Sequence, residues 1–544
     1  MEMLRIVCDR VCAEIAEDAT EYTAQEPLLW LLHGLPGTGK SEVLKLCKTL
    51  FTEVCGWSMG LEYQMVALQA ATAQLLDGGT IHHACGINPF PGTGGSSNAQ
   101  KAAQRQTDVA QRVQQWRQLF VDEISMVSCK LLAEMDMKLR AVMTDASTLK
   151  RDGLGNIRPF GGVNVVFVGD FWQLDPPKGG FLGDIPVEFL RKARQYDPKP
   201  DVAHGQPIFW GVDGQCVKGM TELTECVRTE DPWLLQVQQE MRDGNLSEDS
   251  WKFLHGVETS VPGSWVNGRC ECGNERCART WATSKTECAV CQEERRTKNR
   301  VLRGDGDARH QDDHFINAPA IFPNSDIKYE VNKSRAHVYA AKKDVAITWS
   351  IARDKASNKV LAEKLHIAEE KKVWLTRHDR DCGNLYGVLP LAEGPPVMLT
   401  EHYDRNPSKQ LLKGRIGYVK GSVLDDKEDT QVDGANRYLK YPPKVVLVQF
   451  FEWKKENGRT VQRPCEWQLD GISEKGVYPI KAVVRAWFLD QKRIAPVLRV
   501  SRTQVPLAPA FSITAHGSQG QALPSAVMDL QLGAASVPSP ATWP

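Results

Sequence analysis

The stretch Gly34-Leu35-Pro36-Gly37-Thr38-Gly39-Lys40-Ser41 follows directly on the apolar run Leu28-Leu29-Trp30-Leu31-Leu32. A strand, a glycine-rich turn and the start of a helix in that order leave one economical fold, a parallel α/β sheet carrying a phosphate-binding loop. Glycines let backbone N–H groups turn inward around a β-phosphate, and a lysine at position 40 reaches the β and γ oxygens. The Ser41 hydroxyl suits Mg²⁺. Gly34, Pro36, Gly37, Thr38, Gly39, Lys40 and Ser41 are therefore the candidate residues for Mg²⁺-ATP.

Further strand-like runs follow. Met65-Val66-Ala67-Leu68 is one, and Leu119-Phe120-Val121 is another, ending in Asp122-Glu123. An apolar strand that delivers two acids at its C-terminal end is suited to hold Mg²⁺ through the first, Asp122. The second, Glu123, would orient or deprotonate an attacking water. The run Val163-Asn164-Val165-Val166-Phe167-Val168 reads as a strand covered on both faces. It leads into Gly169-Asp170-Phe171-Trp172-Gln173, where the Gln173 amide would sense a γ-phosphate. Trp172 is read either as core filler or as a residue of that site.

At 544 residues the chain should hold two to four domains. Hydrophobic residues at 42% and charged residues at 25% exclude a disordered or fibrous chain. No apolar run has the roughly 18 residues of a membrane span. The acidic N-terminal stretch argues against a signal or transit peptide, so the expected compartment is nucleus or cytoplasm, with the mitochondrion a remaining option. Net charge is zero, yet residues 1–250 hold 23 basic and 33 acidic side chains, against 44 and 34 in the remainder. A basic back half suits phosphate backbones. Five cysteines fall between 270 and 291. Cys272, Cys277, Cys288 and Cys291, with Cys270 as alternative to Cys272, have the paired spacing of a tetrahedral zinc site.

Three blocks in order, Gly-x-Pro-Gly-Thr-Gly-Lys-Ser, Val-Asp-Glu-Ile-Ser-Met-Val and Gly-Asp-Phe-Trp-Gln-Leu-x-Pro-Pro, resemble the superfamily 1 DNA helicases of the petite-integration-frequency (Pif) type. The likeness continues in Leu223-Thr224-Glu225-Cys226-Val227-Arg228, in Arg242-Asp243-Gly244, and in Phe511-Ser512-Ile513-Thr514-Ala515-His516-Gly517-Ser518-Gln519-Gly520-Gln521. The resemblance implies two RecA-like P-loop lobes with parallel sheets that close on ATP. The first spans 1–250, a small cysteine-rich insertion spans 251–312, and the second spans 313–544. The latter would carry a small inserted β-barrel at about 395–500. The resemblance also implies that Arg228 meets the γ-phosphate and that Gln519 and Gly520 belong to the nucleotide site. Thr80, His82, Thr514 and His516 would touch DNA. The implied activity is ATP-dependent 5′-to-3′ movement on single-stranded and forked DNA by a monomer, in repair, recombination, telomere or replication maintenance.

The chain departs from the family pattern in four places, the first being the adenine-contacting glutamine expected well upstream of the phosphate loop, for which Gln25 lies too close. Gln69-Ala70 stands where a Thr-Gly pair is usual, and Gly517 where a lysine is. Residues 522–544 lack the Val-Ala-x-Ser/Thr-Arg element whose arginine faces the transferring phosphate. A truncated C-terminus is thus expected, and with it an alternative: an ATP- and DNA-binding relic or gene-model fragment impaired in turnover. A P-loop kinase for a small substrate fits less well, having no use for the Gly-Asp-Phe-Trp-Gln-Leu stretch.

Overall fold

The computed structural model describes residues 2–18, 26–87, 107, 109–142, 151–152, 154–176, 178–185, 200–211, 217–227, 232–254, 318–363, 366–406, 408–428, 432–433, 436–456, 459–491, 496–519, 523 and 526–529. The chain divides into two compact units, 1–310 and 311–544. Among the described residues no helix is long and apolar enough to cross a membrane.

The first unit is built on six strands: β1 (Leu29–Gly34), β2 (Tyr63–Ala67), β3 (Gly79–Thr80), β4 (Gln118–Asp122), β5 (Asn164–Gly169) and β6 (Gly219–Leu223). They lie in the order β3-β2-β4-β5-β1-β6 and every pairing is parallel. The central strands are apolar without alternation because both faces are covered. Leu29, Leu31, Val121, Val165 and Phe167 enter one core with the helix Cys129–Val142. Leu32, Phe120, Val166 and Val168 enter the opposite one, under the helices Glu2–Asp18 and Lys40–Thr49. Side-chain period two then places successive residues in different cores.

The helix Glu2–Asp18 buries Met3, Val7 and Val11 along one stripe. It also carries a buried pair onto the sheet. Arg10 Nε donates to Asn164 Oδ1 at 3.0 Å, and Asn164 Nδ2 donates to the Glu14 carboxylate. The same amide side chain accepts from the Leu28 N–H at 2.7 Å and donates to the Arg117 carbonyl at 2.9 Å. Asn164 therefore fixes the starts of β1, β4 and β5 against the first helix.

The second unit is mixed. Ala320–Phe322 pairs in parallel with Ser512–Thr514 and with Val527–Met528. Asn332, on the helix Ser325–Lys343, clamps that sheet. Its Oδ1 accepts from the Ser512 N–H at 2.7 Å, and its Nδ2 donates to the Ser512 carbonyl at 3.2 Å. Ile347–Ile351 pairs in parallel with Asn436–Leu439 and antiparallel with Val388–Leu391. The strands expected near 395–450 are present as Pro396–Leu399, Ile416–Val423 and Val445–Glu456. They form an antiparallel sheet bounded by Arg459–Pro464 and Leu507–Pro509, which do not pair with each other among the described residues. Leu399, Val419, Val446, Val448 and Phe450 make its core. Parallel pairing in this unit is thus confined to the two small sheets.

Replacing Asn164 by alanine should cost about 2–4 kcal/mol, because it leaves the half-buried Leu28 N–H and the buried Arg10–Glu14 pair without their shared partner. Urea denaturation of both forms measures this. A loss well under 1 kcal/mol would show that the first helix docks by apolar contact alone.

Candidate functional site

β1 ends in a turn that only glycine can make. Gly37 and Gly39 have φ of 80° and 93°, in the left-handed region. A Cβ on Gly34 would stand 2.7 Å from Thr38 Oγ1 and 2.8 Å from the Leu223 carbonyl oxygen. The helix Lys40–Thr49 then begins with no side-chain cap, and the Glu42 and Val43 amides bond back to the Gly39 carbonyl, so the free donors of its start are those nearest the loop. Lys40 Nζ donates to the Gly34 and Leu35 carbonyls at 2.6 and 3.0 Å. Thr38 Oγ1 donates to the Leu35 carbonyl at 2.8 Å. This is a cradle of donors suited to an oligophosphate.

The rest of the site sits on the same C-terminal rim of the sheet, where ligands of open parallel sheets bind. Asp122 ends β4 and is buried. Burial pushes its carboxyl up, and the Glu123 charge adds to this. The Glu123 amide and the Lys40 ammonium pull the other way, leaving it at about 7. Lys40 opens the helix that follows β1 and Asp122 closes β4, so both lie on the same rim of the sheet. Glu123 follows with φ 55°, a left-handed conformation unusual for glutamate, and its N–H donates to Asp122 Oδ1 at 2.9 Å. Ser41, exposed on the first helical turn, and Asp122 are both oxygen donors. They fit a Mg²⁺ ion held by few protein ligands.

β5 brings a buried charge to the rim that reading the sequence had given no role. Asp170 accepts from Arg242 Nη1 at 2.7 Å and from the Trp172 N–H at 3.1 Å, and His33 Nε2 lies 3.5 Å away. His33 in turn meets Glu222 at 3.3 Å. Burial alone would raise the Asp170 carboxyl. His33 and Arg242 more than reverse this, holding it at about 2. An acid one residue beyond a run of buried apolar residues was the available signal, close to the one that singled out Asp122. Gln173 is half-buried, with its N–H on the Asp170 carbonyl at 3.1 Å. Trp172 is 70% exposed, which overturns its reading as core filler: the chain turns at Asp170 and carries the indole outward.

The segment after β6 is strapped to the phosphate loop. The Val227 N–H donates to the Gly37 carbonyl at 2.9 Å, and Cys226 Sγ lies 3.3 Å from the Pro36 carbonyl. Arg228 itself lies outside the described residues, as do Gly520 and Cys270, Cys272, Cys277, Cys288 and Cys291. Among the described residues no cluster of His, Cys, Asp and Glu has the geometry of a metal site.

Thr80 ends β3 level with Asp122, since Ala67 pairs with both. Its hydroxyl accepts from the His83 N–H at 3.3 Å and caps the short helix Ile81–Ala84. His82 is half-buried. Burial lowers its imidazole below the ordinary value, against the opposing charge of Glu134. In the second unit Thr514 plays the same capping part, accepting from the Gly517 N–H at 3.1 Å. His516 is half-buried on that turn and Gln519 is buried just after it.

Residues 9–180 match the family described as PIF1-like helicase. The chain is 25% identical over 233 residues to the ATP-dependent DNA helicase RRM3 of Saccharomyces cerevisiae, covering 42% of this chain and 27% of that protein. To the ATP-dependent DNA helicase PIF1 of Homo sapiens it is 27% identical over 231 residues, 42% of this chain and 30% of that one. The chain thus spans under a third of the length of these curated relatives. The crystal structure of Pif1 helicase from Candida albicans superposes with a TM-score of 0.52 at 18% identity, over 97% of this chain and 87% of that one, which establishes a shared fold.

Asp170→Asn should destabilise the first unit by about 2–3 kcal/mol, since a carboxyl held near 2 against roughly 3.9 unfolded contributes about 2.6 kcal/mol. The folded value is depressed, so this stability is present above about pH 4 and is lost as pH falls toward 2. Denaturation of the wild type between pH 5 and pH 2.5 should show that extra loss, and the variant should show a shallower one. Parallel curves would remove the ion pair from the account.

Proposed function

We propose that this chain, whose residues 9–180 belong to the PIF1-like helicases, is an ATP-driven DNA helicase and translocase. The observation that carries the reading is the rim of the first unit. There a left-handed glycine loop, Lys40, Asp122 and Glu123 gather at the ends of β1 and β4, with the Val227 amide bonded to Gly37. Gly34 to Ser41 hold the phosphates, and Lys40 neutralises charge on the β and γ oxygens. Ser41 and Asp122 would hold Mg²⁺, which when bound would supply charge stabilisation for the leaving phosphates. Glu123 accepts the proton of the attacking water, and Gln173 orients that water or senses the γ-phosphate.

Arg228 and the Gln519-Gly520 turn complete the nucleotide site in this reading, and both come from the family likeness. Thr80, His82, Thr514 and His516 face single-stranded or forked DNA, and the protein works as a monomer moving 5′ to 3′ in the nucleus or cytoplasm. Repair, recombination and replication are the processes that use such an activity. The domain limits 1–250, 251–312 and 313–544, with the β-rich insertion at about 395–500, belong to the same reading.

Steady-state ATP hydrolysis should rise on adding single-stranded DNA. Lys40→Ala should abolish it, and Glu123→Gln should lower it roughly 10²–10⁴-fold while ATP still binds. Turnover indifferent to DNA would sink the motor. Binding of both ligands without turnover would favour the impaired relic instead.

The cysteine spacing supports a structural zinc on Cys272, Cys277, Cys288 and Cys291 or on the set that includes Cys270. Metal analysis of the purified chain should then find about one zinc per molecule, lost in Cys288→Ser/Cys291→Ser. A folded, zinc-free wild type would refute it.

A further inference from the structure

His33 stands on β1 directly ahead of Gly34, where the phosphate loop begins, and it is buried. The parallel register sets it level with Gly169 on β5 and with Glu222 on β6. A polar ring at this depth calls for partners, and here both flanking strands supply one. Nε2 lies 3.5 Å from Asp170 Oδ1, and Nδ1 lies 3.3 Å from Glu222 Oε1. Arg242 Nη1 donates to the other Asp170 oxygen at 2.7 Å. A row of Glu222, His33, Asp170 and Arg242 thus crosses three strands and ends on the helix Pro232–Asp243. Among the described residues the Glu222 carboxylate has no other hydrogen-bond or ion-pair partner. That carboxylate is half open to water, so the contact adds little stability, and its value has to lie in placement. From Leu223 the chain runs back over the phosphate loop as a strap. The Val227 N–H reaches the Gly37 carbonyl at 2.9 Å, and Cys226 Sγ lies 3.3 Å from the Pro36 carbonyl. The His33–Glu222 contact sits at the root of that strap.

We propose that His33 is a positioning residue for ATP turnover: through Glu222 it holds the strap after β6 in place over the phosphate loop, while Asp170 and Arg242 hold His33 itself. This rests on the ATP-hydrolysing reading of the rim and adds to it a side chain that never touches the nucleotide. The phosphate cradle is built on the backbone, from left-handed glycines and from Lys40 on the Gly34 carbonyl. It keeps its shape without the imidazole. The strap is different, because both of its contacts with the loop come only a few residues beyond Glu222. Where Glu222 is held therefore decides how the strap lies. Arg228, assigned to the γ-phosphate in that reading, is the next residue along the chain. A placement error on the order of 1 Å costs roughly 10²-fold in rate, and it can do so with binding intact.

The test measures steady-state ATP turnover with single-stranded DNA present and, separately, ATP affinity, on the full chain and its variants. His33→Leu and Glu222→Ala should each lower kcat roughly 10- to 100-fold and leave affinity within about 3-fold of the wild type. The double variant should be no slower than the slower single one, because both remove the same contact. His33→Gln, which keeps an N–H donor, should recover part of the loss. Glu222 is half exposed, so its substitution is safe for folding, and an unchanged thermal midpoint would verify that. Wild-type kcat in Glu222→Ala, or losses that multiply in the double variant, would overturn the positioning role and leave the ATPase standing. Affinity lost in step with turnover would overturn it as well, since that marks damage to the cradle. A wild type that binds ATP without turning it over would overturn both the reading and the role built on it.

Discussion

A parallel sheet buried on both faces has only its two rims left for charge. In the first unit, β1, β4 and β5 are filled on both sides by side chains such as Leu31, Phe120 and Phe167. Polar residues therefore appear where each strand leaves the core, and the C-terminal ends coincide because the register is parallel throughout. Gly34, Asp122 and Asp170 are brought together by that alone. Fold and chemistry are in this sense one constraint: covering the sheet with helices on both faces obliges its strands to release their acids and glycines along one line.

The two acids released there are tuned in opposite directions by the company they keep. Asp122 is buried beside another acid and stands at about 7, while Asp170 is buried beside Arg242 and His33 and stands at about 2. The first is poised to gain from an arriving cation. The second already has its cation and serves as a fixed post. Sites that divide labour between carboxylates commonly separate them by environment in this manner, since the side chains are chemically alike.

What could be read from the sequence was whatever depends on local pattern. The glycine loop, the unbroken apolar runs of β1, β2, β4 and β5 and the acids ending β4 all follow from nearest neighbours and spacing. The buried Arg10–Glu14–Asn164 cluster did not show, because a charged residue inside a helix reads as solvated until a partner 150 residues away is known. Trp172 stayed open between a core position and a place in the site, because only the turn at Asp170, which local pattern does not show, sends it outward. The second unit was hardest, since its sheets are assembled over long separations. Asn332 holding Ser512 is a contact across 180 residues that no window of sequence contains.

The turn from Asp170 to Gln173 is tied to the first unit at several points. Two consecutive amides bond back to one residue, and that residue is clamped by side chains from β1 and from the helix Pro232–Asp243. The direction in which Trp172 and Gln173 leave the sheet is therefore set by contacts made at Asp170, and the buried Arg242–Asp170 pair is part of what shapes the rim rather than incidental packing.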